Sequence, residues 1–218
     1  MNDFPYLETE RLILREIVAS DAEDVLAIRS DQLAMRWYGS DPLVSIQEAH
    51  KVIDAYAGWR QLPNPGTRWG IQQKADLRFL GSCGLFKWNR SWKSCVVGYE
   101  LASFARGQGF MFEVLSAVLE WGFENMGLNR VEAQVHPENL ASIKLLSRLK
   151  FVQEGCMREA GFWLGRHHDL QQFALLRRNF MNGGRAQVVW RPCAEGARSA
   201  FRPDAILGDL RLSGEKES

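Results

Sequence analysis

The sequence predicts an α/β (α+β) fold built on a mixed, mostly antiparallel sheet. Segments 67–74, 78–88 and 95–102 have the apolar patterns of strands, and the short connectors between them are typical of an antiparallel meander. A glycine turn and a long apolar helix, 110–126, lead from the third strand to another strand, 130–135. Because a helix connects these last two strands, we expect them to run parallel.

The composition is that of an ordinary soluble globular protein. The 218 residues are 46% hydrophobic and carry a formal net charge of +1, which suits one domain with a full core. Neither sign of charge is in excess, so no nucleic acid or membrane partner is indicated. The chain has no basic-then-apolar leader and no run near the ~18 apolar residues of a membrane span, so we expect a cytoplasmic protein.

Cysteine and histidine spacing predicts no metal site. The four cysteines are Cys83, Cys95, Cys156 and Cys193. They form no Cys-x-x-Cys pair and lie at no ligand spacing from a histidine, so small buried thiols are their simplest interpretation. His167 and His168 are adjacent and would point to opposite faces of a strand, which makes a poor chelate.

Before the meander, one strand and two helices are predicted. The strand is 7–15, and Ser20 and Asp21 supply an N-cap for a helix that runs to about residue 30. Ser45, with a glutamate three residues later, has capping-box spacing for a second helix that ends before Pro63.

The turn before the long helix has the features of an anion site. Gly107 and Gly109 lack Cβ atoms, so a phosphate can approach the backbone closely. The first amides of the helix have no internal partner and carry the positive end of its dipole, and Arg106 adds a full charge. A plain strand-to-helix turn is the alternative, because neither a Walker loop nor the dinucleotide fingerprint is present.

A second amphipathic helix follows strand 130–135, with Asn139 as its N-cap. Its apolar face consists of Leu140, Ile143, Leu146 and Leu149. A strand that starts near Glu154 and a return over 165–169 then predict a closing hairpin.

Two of these motifs resemble those of the GNAT superfamily of N-acetyltransferases. The run Arg106–Met111 resembles the pyrophosphate loop, Gln/Arg-x-x-Gly-x-Gly/Ala, with Met111 at a position where Gly or Ala is usual and where the side chain can turn into the core. Asn139 with the following Ser-x-x-Leu-Leu is similar to the second motif, in which Lys150 replaces the usual glycine. The opening Leu-x-Thr-x-Arg-Leu-x-Leu-Arg from Leu7 looks like the RimJ/RimL branch, which acetylates ribosomal-protein N-termini and related amines.

The resemblance covers about residues 7–178 and implies the GNAT fold. That fold is a mixed, mostly antiparallel sheet of about six to seven strands with a parallel, splayed central pair, flanked by about four helices. The acetyltransferase domain would cover 1–180, and 181–218 would form a C-terminal appendage, mostly irregular or disordered. Acetyl-CoA would be the co-substrate without a metal, and the protein could form a homodimer, as is frequent in the family.

The resemblance also implies a set of cofactor and acceptor contacts. Those expected at acetyl-CoA are Leu101, Ala102, Ser103, Arg106, Gly107, Gln108, Gly109, Phe110, Met111 and Asn139. An amide near Leu101 or Ala102 would polarise the thioester carbonyl. In the family the first two helices and their loop cover the acceptor cleft, so Arg36, Trp37 and Tyr38 are candidate acceptor contacts. A solvated loop with one anchoring aromatic is the alternative.

Acetyl transfer to an amine requires a proton acceptor, and its leaving thiolate requires a donor. Glu100 is the first candidate base, because it is the only charged residue in an apolar strand just before the turn. A solvent-facing or ion-paired carboxylate is the alternative, and Glu159 on the hairpin is the second candidate. Many family members use a tyrosine as donor, but none follows Tyr99 here, so Ser142 is the candidate, with local capping as its alternative.

These patterns predict transfer of an acetyl group from acetyl-CoA to a primary amine. The RimJ/RimL resemblance favours a protein N-terminal amine, such as that of a ribosomal protein. A small-molecule amine (a polyamine or an aminoglycoside) is one alternative, and a non-catalytic acyl-CoA sensor is another. Thiol release separates a transferase from a sensor.

Overall fold

The computed structural model describes residues 4–181, which form one eight-stranded sheet and six α-helices. The strands are β1 Leu7–Glu8, β2 Leu12–Glu16, β3 Thr67–Gln73, β4 Phe79–Asn89, β5 Ser94–Leu101, β6 Arg130–Val135, β7 Val152–Trp163 and β8 Arg166–Leu176. The helices are α1 Ala22–Arg29, α2 Gln32–Met35, α3 Ile46–Gly58, α4 Phe110–Asn125, α5 Leu140–Arg148 and α6 Arg177–Met181. The predicted appendage, 181–218, lies outside the described residues except for Met181.

The strand order is β1-β2-β3-β4-β5-β6-β8-β7, and each neighbouring pair is antiparallel except β5 and β6. This confirms the mixed, mostly antiparallel sheet with a parallel pair at its centre. The prediction of six to seven strands and four helices was too low. The short helices α2 and α6 account for the extra helices, and the division of the first strand adds a strand.

That division occurs at Thr9, whose amide donates to the carbonyl of Leu12 at 3.0 Å and closes a tight turn between β1 and β2. The predicted single strand, 7–15, was therefore wrong in its continuity. The turn carries no glycine, proline or asparagine, so local turn signals do not reveal it. Instead, side-chain contacts hold it, because Thr9 Oγ1 donates to Glu113 on α4.

The parallel pair separates along its length and creates a wedge-shaped cleft. β5 pairs with β6 only over Ser94–Val96, whereas its pairing with β4 continues to Leu101. From residue 97 onward β5 therefore forms one wall of the cleft, and the end of β6 forms the other. This confirms the predicted splay.

Helices cover both faces of the sheet and bury two apolar clusters. α4 and α5 pack on one face with residues such as Val97 and Leu146, and α1 and α3 pack on the other with residues such as Phe79 and Ile53. Met111 is buried in the first cluster with 7% exposure, as expected for a side chain that turns into the core. None of the described helices is long and apolar enough to cross a membrane.

Two of the three predicted helix caps are confirmed. Ser45 Oγ accepts from the amide of Glu48 at 3.3 Å, and Asn139 Oδ1 accepts from the amide of Ser142 at 3.2 Å. Asp21 occupies the N-cap position of α1, but its side chain makes no capping bond. Its carboxylate accepts instead from the Arg15 guanidinium, at 2.8 Å, because this bidentate pairing satisfies both oxygens.

Candidate active site

The glycine turn before α4 has positive φ angles at both of its glycines, and it faces open space. Gly107 and Gly109 have φ angles of +76° and +79°, a region that residues with a Cβ adopt at a cost. Gly109 is the N-cap of α4, and no side chain caps the helix there, so its first amides remain available to an anion. A Cβ at Gly107 would meet nothing within 4 Å. The turn therefore fits a pyrophosphate.

Arg106, expected to supply charge at this turn, is engaged elsewhere. Its Nε and Nη2 donate to the Leu101 carbonyl at 3.2 and 3.0 Å, and Gln108 Nε2 donates to the Phe104 carbonyl at 2.8 Å. The two Arg106 bonds tie the end of β5 to the turn. Ser103 lies exposed in the intervening 3-10 turn.

Arg11, which is absent from the predicted set, lies over the turn in place of Arg106. Its Nε donates to Glu113 Oε2 at 2.7 Å, and its Nη1 donates to the Gln108 carbonyl at 3.1 Å. The guanidinium stands 4.4 Å from the ring centre of Phe110, and Nη2 lies 3.7 Å from the position of a Cβ at Gly109. A cation is therefore fixed at the N-terminus of α4.

Glu113 is the carboxylate that holds Arg11 in this position. Burial alone would raise its pKa, but hydrogen bonds from the Thr9 hydroxyl and from Arg11 outweigh burial and lower the pKa below its ordinary value. Glu113 therefore stays ionised at neutral pH and keeps its pair with the guanidinium.

One backbone amide at the end of β5 points into the cleft. The Ala102 amide donates to the Leu80 carbonyl on β4 at 2.8 Å. Successive peptide groups of a strand point to opposite sides, so the Leu101 amide points away from β4, as does its carbonyl. Of the two amides proposed to polarise a thioester, Leu101 is therefore the available one.

Glu100 lies in a buried ion-paired cluster on the face covered by α3. Arg68 Nη2 and Ser82 Oγ each donate to one of its carboxylate oxygens. The side chains of Arg68 and Glu100 are only 4% and 13% exposed. Burial would lower the pKa of Arg68, but the facing carboxylate raises it above its usual value, so the guanidinium stays charged. Each carboxylate oxygen keeps a second lone pair.

Tyr38 joins the same cluster, because Arg68 Nη2 also donates to its hydroxyl at 3.1 Å. The structure thus brings one predicted acceptor contact to the predicted base. β4 passes close to this point, where a Cβ at Gly81 would lie 2.2 Å from the Glu100 carbonyl. Only glycine fits the backbone at this position.

The loop that carries Arg36, Trp37 and Tyr38 bridges the two walls of the cleft. Trp37 stacks on His136, just after β6, with ring centres 4.3 Å apart. Trp163 of β7 donates its indole N–H to the Arg36 carbonyl at 3.0 Å, while Tyr38 reaches the β3–β5 side. The loop therefore has two anchoring aromatics, in contrast to the alternative of a solvated loop with one.

The hydroxyls of Ser142 on α5 and Tyr99 on β5 lie close to each other. Burial raises the pKa of Tyr99 to about 12, and the nearby Ser142 hydroxyl opposes this rise. The two hydroxyls do not reach hydrogen-bond geometry, and within residues 4–181 the buried Tyr99 Oη has no hydrogen-bond partner. Asn139 caps α5 at the same point.

Glu159 lies apart from these groups. It sits exposed in an irregular part of β7, with φ +52°, and its amide donates to Asp169 Oδ1 at 2.8 Å. β6 and β8 separate its strand from β5. No group of three or more His, Cys, Asp or Glu able to hold a metal ion occurs in the part of the chain that the structure describes.

Sequence reasoning missed three functional candidates, Arg11, Arg68 and Tyr99. The place of Arg11 in the opening motif was a usable signal. Arg68 alternates with apolar residues in a predicted strand, which marks an arginine on a covered face. The sequence indicates only that Tyr99 is a core residue, because its neighbours do not predict whether its hydroxyl has a hydrogen-bond partner.

A splayed strand pair, an uncapped helix N-terminus after a glycine turn and a cleft-facing amide together define a site for an acyl-CoA-dependent transferase. Residues 11–152 match the model of the acetyltransferase (GNAT) domain. The chain therefore belongs to the GNAT family, and it is an acetyl-CoA-dependent N-acetyltransferase.

Relatives and solved structures agree with this assignment. An uncharacterized N-acetyltransferase of Bacillus subtilis, YoaA, is 34% identical over 174 residues, which cover 80% of this chain and 98% of the relative. Spermidine N-acetyltransferase of Vibrio cholerae, solved with CoA and spermine, has a TM-score of 0.69 at 21% identity and covers 80% of this chain and 100% of its own. Mycobacterium smegmatis RimJ, solved with CoA-disulfide, has a TM-score of 0.68 at 22% identity and covers 77% and 82%. At these identities the two structures support the fold.

Proposed function

We propose that the protein transfers the acetyl group of acetyl-CoA to the N-terminal amine of a protein or peptide. The observation that supports this acceptor is the charge around the bridging loop. Arg29, Arg36 and Arg68 contact its aromatic rings or hydroxyls, whereas Glu100 is the carboxylate of the buried cluster. Guanidinium groups this close to the rings oppose a polycation such as spermidine and tolerate a single terminal amine.

The residues divide the chemistry as follows. Glu100 accepts a proton from the attacking amine, directly or through water, through a free lone pair of its carboxylate. The nitrogen bonds to the thioester carbon, whose oxygen receives a hydrogen bond from the Leu101 amide. The C–S bond breaks with its electrons on sulfur, near the Ser142 hydroxyl. At neutral pH a terminal amine with a pKa near ~8 has a far larger free-base fraction than a lysine near ~10.4.

The phosphates of acetyl-CoA lie, in this proposal, at the amides of α4 and against Arg11. Replacing Arg11 by alanine is expected to weaken CoA binding about 10- to 100-fold, because a charge-assisted contact is lost and Glu113 then faces the phosphates unpaired. Calorimetry with CoA measures this effect. The loss should persist with 3′-dephospho-CoA and vanish with pantetheine, which lacks the pyrophosphate.

Arg90→Ala is the matched control, because Arg90 lies before β5 at the opposite end of the strand from the glycine turn and stands over Trp88. It removes the same charge and should leave CoA affinity unchanged. An equal loss in both variants would attribute the effect to net charge and would contradict a phosphate contact for Arg11.

Thiol release from acetyl-CoA with a panel of acceptors tests the acceptor. The panel holds ribosomal-protein N-terminal peptides, the same peptides with blocked N-termini, spermidine and an aminoglycoside. We expect release with free N-termini and little with blocked ones, with the acetyl group found on the α-amine by mass spectrometry. Preference for spermidine or the aminoglycoside would replace the proposed acceptor. CoA binding without release on any acceptor would favour a sensor.

A further inference from the structure

The Tyr99 hydroxyl is a buried polar group that the chemistry above leaves unused. Tyr99 lies on β5 beyond the last residue paired with β6, so its side chain belongs to the wall of the cleft. Its ring packs against the apolar cluster beneath α4 and α5. Its oxygen has no hydrogen-bond partner among the described residues.

A buried hydroxyl without a partner is costly, and native structures pair nearly all such groups. Phenylalanine would fill the same space without that cost. The sequence places tyrosine here instead, in the part of β5 that no longer pairs with β6. A partner that arrives with the donor satisfies the hydroxyl and explains its position.

We propose that the Tyr99 hydroxyl, together with the Ser142 hydroxyl, donates a hydrogen bond to the sulfur that leaves coenzyme A. This inference rests on the acetyl transfer proposed above and assigns the stabilisation of its leaving group. The C–S bond electrons move to sulfur, the amine proton goes to Glu100, and both hydroxyls keep their own protons. The thiolate later takes a proton from solvent.

The proton stays on tyrosine for a chemical reason. With its pKa raised to about 12, the phenol remains protonated throughout the neutral range and always offers a donor. An ordinary thiol has a pKa of about 8.5, so a thiolate is too weak a base to deprotonate this phenol. Tyr99 therefore acts as a hydrogen-bond donor to a developing anion.

The test is Tyr99→Phe, which removes only the unpaired oxygen. We expect kcat to fall about 10- to 100-fold, the range of a hydrogen bond to a charged group, with the KM for acetyl-CoA unchanged. The melting temperature should stay equal or rise, because an unsatisfied buried group is gone. A structural role for the hydroxyl would instead lower the melting temperature.

A binding measurement without turnover provides the second readout. For the wild type, CoA affinity should increase as the pH rises through the thiol pKa, because the thiolate accepts from Tyr99. Tyr99→Phe should lose most of this increase, whereas desulfo-CoA should show none with either protein. Tyr56→Phe is the matched control on the opposite face, where the hydroxyl contacts Arg29, and it should retain the increase.

An unchanged kcat together with an unchanged pH dependence of CoA affinity in Tyr99→Phe would overturn the inference and leave the proposed acetyl transfer intact. A wild-type protein that binds neither CoA nor desulfo-CoA would overturn both. Ser142→Ala should give a smaller loss. In the double variant Tyr99→Phe/Ser142→Ala, the fold-reduction in kcat should be smaller than the product of the two single reductions, because both hydroxyls act on one sulfur.

Discussion

Replacing Glu100 by glutamine is expected to lower kcat about 100-fold or more at neutral pH, the usual contribution of a general base. Glutamine keeps one acceptor oxygen, for either Ser82 or Arg68, but has no basic lone pair for the amine proton. The KM for acetyl-CoA should change little, because backbone amides and Arg11 bind that substrate in our proposal. Thiol release measured across pH 6–9 (about the range of amine titration) should stay below that of the wild-type enzyme throughout.

Two controls separate base chemistry from loss of the ion pair. Ser82→Ala removes the bond to Oε1 but keeps the carboxylate, and it should retain most of the rate. Glu154→Gln removes another paired carboxylate, on β7, where it bonds Arg130 at 2.9 Å, and it should leave the rate unchanged. A Glu100→Gln enzyme that is folded and keeps more than about a third of kcat would assign the carboxylate to structure alone.

Features that depend on neighbouring residues were predictable from the sequence. Ser45 and Asn139 cap their helices through bonds to residues three positions away, a spacing that is visible in the sequence. The open backbone at Gly107 and Gly109 follows from the residue type, because neither has a Cβ. The parallel pair followed from the helix between β5 and β6, because connection type sets strand direction.

Features that depend on distant residues were not predictable. The partners Arg68 and Glu100 are 32 positions apart, and Arg11 and Glu113 are 102 positions apart. The polar and apolar pattern of one sequence predicts the face on which each residue lies, but it does not predict the residue with which it pairs. The direction of a side chain is unpredictable for the same reason. The sequence places Arg106 in the turn but does not predict its hydrogen bond to the Leu101 carbonyl.

Replacing Arg68 by methionine is expected to lower the free energy of unfolding by about 3–5 kcal/mol, because it leaves the Glu100 carboxylate buried without its cation. The variant also removes the N–H groups that donate to Ser82 Oγ and to the Tyr38 hydroxyl, so the bridging loop loses its anchor on this wall. Urea denaturation with a fixed slope measures the loss. Arg130→Met is the matched control, since its partners Glu132 and Glu154 are 30% and 42% exposed, and it should cost about 1 kcal/mol or less.

The double variant Arg68→Met/Glu100→Leu tests whether the ion pair serves stability or acetyl transfer. Replacing both charges by apolar side chains removes the stranded carboxylate, so most of the lost stability should return. Activity should not return, because the proton acceptor is gone and the bridging loop lacks its hydrogen bond to Arg68. If the double variant were as unstable as Arg68→Met, the lost stability would come from the hydrogen bonds that Arg68 donates to Ser82 and Tyr38, and not from the stranded carboxylate. If it regained both stability and rate, the buried pair would have no part in acetyl transfer.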